Sequence, residues 1–244
     1  MYNTAVGAAA GQKVTTGVSN TLIGGLAGDA ITSGDNNVAM GYQALTTNIL
    51  SDRNVAIGNY ALATHNTGST ADSYNVAVGF EAGLNVTTGQ FNTLIGALSG
   101  DTITTTGYNT AIGYESLSAN TTGEVQTALG VSALRGNTTG TQNTAVGGNA
   151  MYANTEGDDN VAVGHNALDA NTTASNNTAV GKSALTANTT GASNSALGHQ
   201  AGVAITTGAN NTAIGDSALQ GLSTGSGNVA IGQASGGQGN MINI

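Results

Sequence analysis

Few residues of this chain could carry out acid–base or metal chemistry, and they are scattered. The three histidines, His65, His165 and His199, lie far apart along the chain, and there is no cysteine to act as nucleophile or thiolate ligand. The acidic residues lack the spacing of an EF-hand or of a calcium-binding nonapeptide repeat. No Gly-x-Ser-x-Gly segment has plausible catalytic partners, and no phosphate-binding loop ends in Gly-Lys-Ser or Gly-Lys-Thr. The sequence therefore predicts a protein that is not an enzyme, with no catalytic, cofactor-binding or metal-binding residues.

Aromatic side chains offer more potential for binding. Seven of the nine aromatic residues fall within residues 42–114. Five of them form two sets whose members recur at a regular spacing: Tyr74, Phe91 and Tyr108, and Phe80 and Tyr114. Exposed aromatic clusters make good contacts with partners, so these five are the predicted partner-binding residues. Tyr74, Phe91 and Tyr108 are predicted to stack as a ladder, and the alternative interpretation is that this ladder only stabilises the fold.

Composition excludes several classes of protein. The chain has 244 residues, 38 of them glycine, with no proline, cysteine or tryptophan and a formal net charge of -9. It has no basic footprint for nucleic acid, and no apolar run approaches the ~18 residues of a membrane helix. We therefore expect neither nucleic-acid binding nor membrane insertion. The first residues show no basic and apolar segments of a signal peptide.

A sequence repeat must position these residues. The block Asn-Thr-Ala-Val-Gly, with variants, occurs fourteen times, and its glycine lies at residues 7, 24, 41, 58, 79, 96, 113, 130, 147, 164, 181, 198, 215 and 232. Twelve of the thirteen steps equal the step from Gly7 to Gly24, and the step from Gly58 to Gly79 is longer by four. Residues 1–244 are thus predicted to form one repeat domain. The four extra residues, near 69–72, are predicted to form a surface loop, because the next copy stays in phase.

The repeat length and composition predict an all-β parallel β-solenoid (β-roll) of about fourteen 17-residue coils. Helical-pair repeats need ~33 residues or more, and Asn, Thr and Gly are poor helix formers. In a solenoid each copy is one coil, and each strand pairs with its equivalent about 4.8 Å away. His165 and His199, which share a repeat position with Lys182 between them, would then lie too far apart to bind one metal ion.

We number the repeat from the Asn of the block as position 1. Position 4 is always aliphatic or Met, and position 2 is Thr, Val or Ser, so both are predicted to point into the coil. Position 3, which is Ala in twelve copies, would then face outward, where polar residues are usual. We interpret the alanine stripe as a surface for self-association, represented by Ala145, Ala162 and Ala179.

Positions 9 and 12 vary together. Where position 9 is Gly, position 12 is aliphatic, as in Gly28 with Ile31; where position 9 is Leu or Met, position 12 is usually Asn. The pattern predicts one core space filled from either position, since filling it twice overpacks and leaving it empty makes a void. Repeated Asn at positions 1 and 12 predicts ladders of stacked amides. Gly at position 5 predicts a corner that needs positive φ or close backbone approach.

These repeats resemble a known family. The segment NTAVGKSALTANTTG at residues 177–191 and NVAIG at 54–58 are similar to the head repeats of YadA-like trimeric autotransporter adhesins and to phage tail-fibre repeat arrays. The resemblance covers residues 3–240 and implies a left-handed parallel β-roll, three chains around one axis, and an extracellular, cell-surface or virion-fibre location. The adhesin repeat is shorter than the repeat of this chain, which also shows no coiled-coil stalk or membrane anchor, so a fragment of a longer fibre protein and a stand-alone assembly are both open.

Three functions remain open from the sequence. The leading prediction is a rigid, non-enzymatic fibre or adhesin segment that presents surface for attachment to cells, receptors or glycans. The second is a structural filament made by end-to-end stacking, because no capping element is evident and the last block runs into the loose stretch 236–240. The third is an ice-binding solenoid, which we disfavour because position 2, although often Thr, is Val in several coils and is predicted to point inward. The expected assembly is a homo-oligomer, either trimer or filament.

Overall fold

The computed structural model describes residues 2–232 and 241–243, and every regular element in that part of the chain is a β-strand. The chain divides into two compact units, residues 1–124 and 125–244. The first unit holds β1 (Thr4–Val6), β2 (Thr21–Ile23), β3 (Val38–Met40), β4 (Val55–Ile57), β5 (Val76–Val78), β6 (Thr93–Ile95) and β7 (Thr110–Ile112). The second holds β8 (Thr127–Leu129), β9 (Thr144–Val146), β10 (Val161–Val163), β11 (Thr178–Val180), β12 (Ser195–Leu197), β13 (Thr212–Ile214), β14 (Asn228–Ile231) and β15 (Met241–Asn243).

Consecutive strands pair in parallel, shifted by one repeat. In the first unit, β1 to β7 follow sequence order with equivalent residues opposite one another. In the second unit, β8 to β14 do the same. The all-β parallel solenoid with one coil per repeat is therefore confirmed. The insertion leaves the register intact, since Val55 pairs with Val76.

The C-terminal strand breaks the parallel pattern. β15 pairs antiparallel with β14, so that Asn228 lies opposite Asn243 and Ala230 lies opposite Met241. The edge of β14 is therefore covered by a strand of the same chain. The loose stretch 236–240, which the sequence analysis singled out, lies outside the described residues.

Gly at position 5 forms the predicted corner. Gly79 has φ of +144°, and a Cβ atom there would lie 2.5 Å from the carbonyl oxygen of Gly96 in the next coil. Any side chain would strain the backbone and separate the coils. Both reasons given for this glycine are confirmed.

The predicted strand faces are wrong: position 3 points inward, and positions 2 and 4 point outward. Ala145, Ala162 and Ala179 are each 0% exposed within the chain, whereas the residues on either side are half-buried or exposed. Because these alanines are inside the coil, they cannot form the self-association surface assigned to them.

The physical reason for the alanine stripe is a narrow core. The position 3 side chain faces position 9: a Cβ atom at Gly28, in position 9, would lie 2.7 Å from Cδ2 of Leu22, in position 3. When position 9 is Leu, as at Leu168, that buried side chain fills the interior and leaves room only for Ala at position 3. Leu appears at position 3 in only two coils, as Leu22 and Leu94, and in both the position 9 residue is Gly.

The shared core space between positions 9 and 12 is confirmed and has a third contributor. A Cβ atom at Gly202 would lie 3.1 Å from Cδ1 of Ile205, which occupies position 12 of the same coil. The same hypothetical atom would lie 2.8 Å from Cδ2 of Leu185, in the preceding coil. Neighbouring coils therefore help to set the size of residue that each coil accepts.

The asparagine ladders are confirmed. At position 1, in most coils, the backbone N–H of the Asn donates to Oδ1 of the Asn one coil earlier, for example Asn37 to Asn20 at 2.9 Å. At position 12, Nδ2 of Asn171 donates to Oδ1 of Asn154 at 2.7 Å. These amides are buried, and they satisfy backbone groups at the coil corners that would otherwise lack partners. Among the described residues, no helix is long and apolar enough to cross a membrane.

Candidate functional site

The aromatic residues at position 17 form the predicted stack. The ring centroids of Tyr74 and Phe91 are 5.7 Å apart with planes at 20°, and those of Phe91 and Tyr108 are 5.1 Å apart with planes at 8°. The three residues are 47%, 40% and 62% exposed, respectively. The stacking prediction is confirmed, and partner binding by these residues stays a prediction.

Backbone conformation explains why rings stack here. Tyr74, Phe91 and Tyr108 have φ of 49°, 59° and 61°, so each sits in a left-handed turn immediately before the buried Asn of position 1. Ser19, at the same position in another coil, has φ of 59°. Because the turn repeats in every coil at about 4.8 Å, it places successive rings near stacking distance.

The insertion contributes a charged cluster at one end of the stack. Asp72 forms an ion pair with Arg53, and the hydroxyl of Tyr74 donates to Oδ2 of Asp72 at 3.2 Å. The guanidinium carbon of Arg53 lies 5.7 Å from the centroid of the Tyr74 ring. Arg53 occupies position 17 of the preceding coil, and that shared position is the sequence signal that would have placed it in this column.

The faces of the central ring are not open to a ligand. Phe91 is covered on one face by Tyr74 and on the other by Tyr108, and Arg53 lies over Tyr74. The exposed area of Phe91 is therefore mostly ring edge. A partner cannot lie flat on this ring, and it must contact the ridge of edges instead.

A small cleft of about 150 Å³ lies beside this ridge. Its lining residues come from three consecutive coils of the first unit: Thr88, Gln90, Phe91, Thr105, Gly107, Tyr108 and Glu124. Three of them occupy position 16, in the order Gln90, Gly107, Glu124. Gly107, in the middle coil, contributes only backbone to this lining, and a Cβ atom there would clash with the carbonyl oxygen of Gln90.

The second predicted aromatic set is separate from the stack. Phe80 and Tyr114 are 49% and 50% exposed at position 6, on the far side of the strand from position 17. They lie two coils apart with Ala97 between them, so they cannot stack on one another. Tyr42, at the same position, packs edge-on against Tyr60 with centroids 5.6 Å apart.

The histidines fall in two environments. His165 and His199 are exposed at position 6, and Nδ1 of His199 lies 2.8 Å from Oδ1 of Asp216. His65 is fully buried at position 12, with no hydrogen-bond partner for either ring nitrogen. Burial lowers the pKa of His65 to about 4, opposed by the backbone of Thr87. Burial also raises the pKa of Asp169, with His165 acting in the opposite direction.

The described residues contain no group of three or more His, Cys, Asp or Glu that could hold a metal ion. No protein-family model, no curated protein and no solved structure matches this chain. The surfaces that remain as candidates are the aromatic ridge with its cleft and the outer face of the strands. Sequence reasoning missed the second, because it placed positions 2 and 4 inside the coil.

Proposed function

We propose that this chain is a non-enzymatic fibre segment. Copies of the β-solenoid associate side by side through the outer face of their strands and present other surfaces for attachment to cells, receptors or glycans. Such a segment would work outside the cell, on a cell surface or a virion fibre. The observation that carries the proposal is the uncharged, largely aliphatic face formed by positions 2 and 4.

This outer strand face is unusual for a surface in contact with water. No residue at position 2 or position 4 is charged in any copy, and position 4 is aliphatic or Met in every coil. In the second unit, Val146, Val163 and Val180 are half-buried and Leu197 is exposed. Water-facing strand positions normally carry polar residues, and contiguous exposed apolar surface marks an interaction site.

The occupant that fits this face best is a second copy of the chain. Every acidic residue lies at other positions of the repeat, so two copies, each with a net charge of -9, can meet here without placing like charges in contact. The face repeats from coil to coil in register, which makes it complementary to itself. The resemblance to trimeric adhesins implies three copies.

Side-by-side association is favoured over end-to-end stacking. A parallel filament would require β1 of one copy to pair with β14 of the next. β15 already pairs with β14 in the antiparallel sense, so that edge is occupied. Covering an edge strand is a common way to prevent such pairing.

The test places charge on the outer strand face. We expect the triple substitution Val146→Glu, Val163→Glu and Val180→Glu to convert the oligomer to monomer, because buried unpaired carboxylates are costly. The matched control is Thr139→Glu, Thr173→Glu and Thr190→Glu. It adds the same charge at position 14, where Glu156 occurs naturally and the side chains are exposed. Sedimentation velocity reports the mass of each variant.

The outcomes are distinct. Association through this face is supported if the wild-type chain and the Thr control variant are both oligomers and the Val variant is a monomer. A wild-type chain that stays monomeric at high concentration contradicts the proposal. So does an oligomer that both variants leave intact.

Ice binding is a second candidate, because the structure reverses one reason for disfavouring it, the inward direction predicted for position 2. Position 2 faces outward, so Thr127 and Thr144 lie in register on the outer strand face, two residues from the aliphatic position 4. A regular array of hydroxyl and methyl groups about 4.8 Å apart is a surface that could order water. Ice binding would be favoured if the wild-type chain and the Thr control variant show thermal hysteresis and the triple Val→Glu variant does not.

A further inference from the structure

We infer that the cleft beside the aromatic ridge binds one neutral hexose unit of a glycan. The inference rests on the attachment role proposed above and names the ligand class for one surface of the first unit. It is carried by the shape of the cleft, the polar groups that line it and the charge around it.

The cleft lies where the repeat departs locally from its usual pattern. Position 15 is usually Gly, but in the coil that begins at Asn92 it is Thr106, and Gly follows at position 16 as Gly107. A Cβ atom at Gly107 would clash with the carbonyl oxygen of Gln90 in the preceding coil, so the backbone of Gly107 packs closely against that coil. The cleft has a volume of about 150 Å³, smaller than the ~300–1,000 Å³ of pockets that hold drug-sized ligands, which suits a single sugar unit.

The lining offers several hydrogen-bonding groups to a polyol. The hydroxyls of Thr88 and Thr105 and the amide of Gln90 line the cleft and make no side-chain hydrogen bond within the described residues. A ring bearing adjacent hydroxyls can pair with donors and acceptors held this close together.

The aromatic contribution comes from ring edges. Phe91 and Tyr108 form one wall of the cleft, and the stack holds their planes nearly parallel, at 8°. This fixed wall can contact the C–H groups of a sugar while the threonines and Gln90 meet its hydroxyls. Stacked rings lose little freedom on binding, which favours affinity.

Charge selects a neutral sugar. The chain carries a net charge of -9, so a sialic acid, a uronic acid or a phosphate would meet repulsion. A calcium ion is also a poor occupant, because it needs six to eight oxygen ligands and the lining supplies one carboxylate.

The test is calorimetric titration of the full chain with glucose, galactose and mannose, and with their β- and α-linked disaccharides. Sialic acid and glucuronic acid serve as charged counter-probes. We expect Thr105→Val to weaken binding of the neutral sugar at least tenfold. The matched control, Thr139→Val, changes the same repeat position in the second unit and should bind like the wild type.

Each result decides the inference. Binding of a neutral hexose that is lost in Thr105→Val and kept in Thr139→Val supports it. The inference is overturned if no neutral sugar gives a heat of binding. It is also overturned if Thr139→Val weakens sugar binding as much as Thr105→Val does, or if the charged sugars bind more tightly than the neutral ones. The cleft lies outside positions 2 and 4. A chain that binds the sugar but does not self-associate would therefore contradict only the assembly proposed above.

Discussion

The side chain of Leu22 occupies the space that a side chain at Gly28 would need. A Cβ atom at Gly28 would lie 2.7 Å from Cδ2 of Leu22 and 2.9 Å from Cδ1 of Ile31. The same relationship recurs between Leu94 and Gly100, where the distance is also 2.7 Å. The interior of a coil therefore accepts a fixed volume, and residues at positions 3, 9 and 12 divide it among themselves.

A double-mutant cycle at Leu22 and Gly28 tests this division. Leu22→Ala should lower the free energy of unfolding by about 2–5 kcal/mol, because it leaves a cavity. Gly28→Leu should lower it by about 1–3 kcal/mol through overpacking. In the double variant the new Leu occupies part of the cavity, so its loss should be smaller than the sum. Urea unfolding measures all four chains, and strictly additive losses would contradict the shared space.

The asparagine ladder limits which substitutions the core accepts. Asn171 donates to Oδ1 of Asn154 at 2.7 Å and accepts from Nδ2 of Asn188 at 3.2 Å. Asn171→Val should therefore cost about 1–3 kcal/mol, because it leaves buried polar groups unpaired. Asn176→Val is the control and should cost less, because its side chain is exposed and Val125 occurs at the same repeat position with a similar φ. Equal losses in thermal or urea unfolding would mean that the ladder contributes nothing beyond the backbone.

The regular part of this fold could be predicted from the sequence, because one period fixes coil, register and corners together. Gly79 and the Asn ladder follow from residues that recur in almost every coil. The strand faces could not be predicted in this way, since a three-residue strand such as Thr144–Val146 is too short for alternation to identify its buried side. Size misled the assignment: the small residue, Ala145, is inside because Met151 also fills the interior.

The candidate site, like the fold, has one part that could be predicted from the sequence and one part that could not. The stack of Tyr74, Phe91 and Tyr108 follows from their shared position, since equal positions lie above one another. The cleft does not, because its lining combines residues of three consecutive coils, among them Gln90, Gly107 and Glu124. Such a cleft becomes visible only when neighbouring coils are placed in contact.

Buried His65 should make stability depend on pH. Burial lowers the pKa of His65 in the folded chain to about 4, below the ordinary value of 6.5. Between these values the unfolded chain binds more protons, so this contribution to stability is present above pH 6.5 and is lost as the pH falls toward 4. The loss is up to about 3 kcal/mol, at about 1.36 kcal/mol for each pKa unit.

His65→Asn should flatten that part of the pH profile. Asn occupies the same position one coil earlier, as Asn48, so the substitution suits the coil and removes the titrating group. Asn48→Val is the matched control: it changes the same repeat position one coil earlier, involves no titrating group, and should leave the slope of the profile unchanged. Urea unfolding at neutral pH and again close to the folded-state pKa gives both slopes. The prediction is wrong if His65→Asn loses as much stability on acidification as the wild type.

Replacing Tyr74, Phe91 and Tyr108 by Ser should separate binding from folding. Ser occupies position 17 elsewhere, as Ser19 and Ser193 with φ of 59°, so the left-handed turn tolerates it. The rings are partly exposed, and two ring contacts worth about 0.5–1.5 kcal/mol each would be lost, so the chain should stay folded with about 1–3 kcal/mol less stability.

Binding to cells or to a neutral glycan should fall in the same triple variant, because the fixed wall of the cleft is gone. The control is Tyr152→Ser, which removes an exposed ring that contacts Arg135 in the second unit and lies outside the stack. Circular dichroism and urea unfolding establish the folded state before binding is measured. A triple variant that unfolds would mean that the stack serves the coil, whereas one that stays folded and binds like the Tyr152→Ser control would place attachment on another surface.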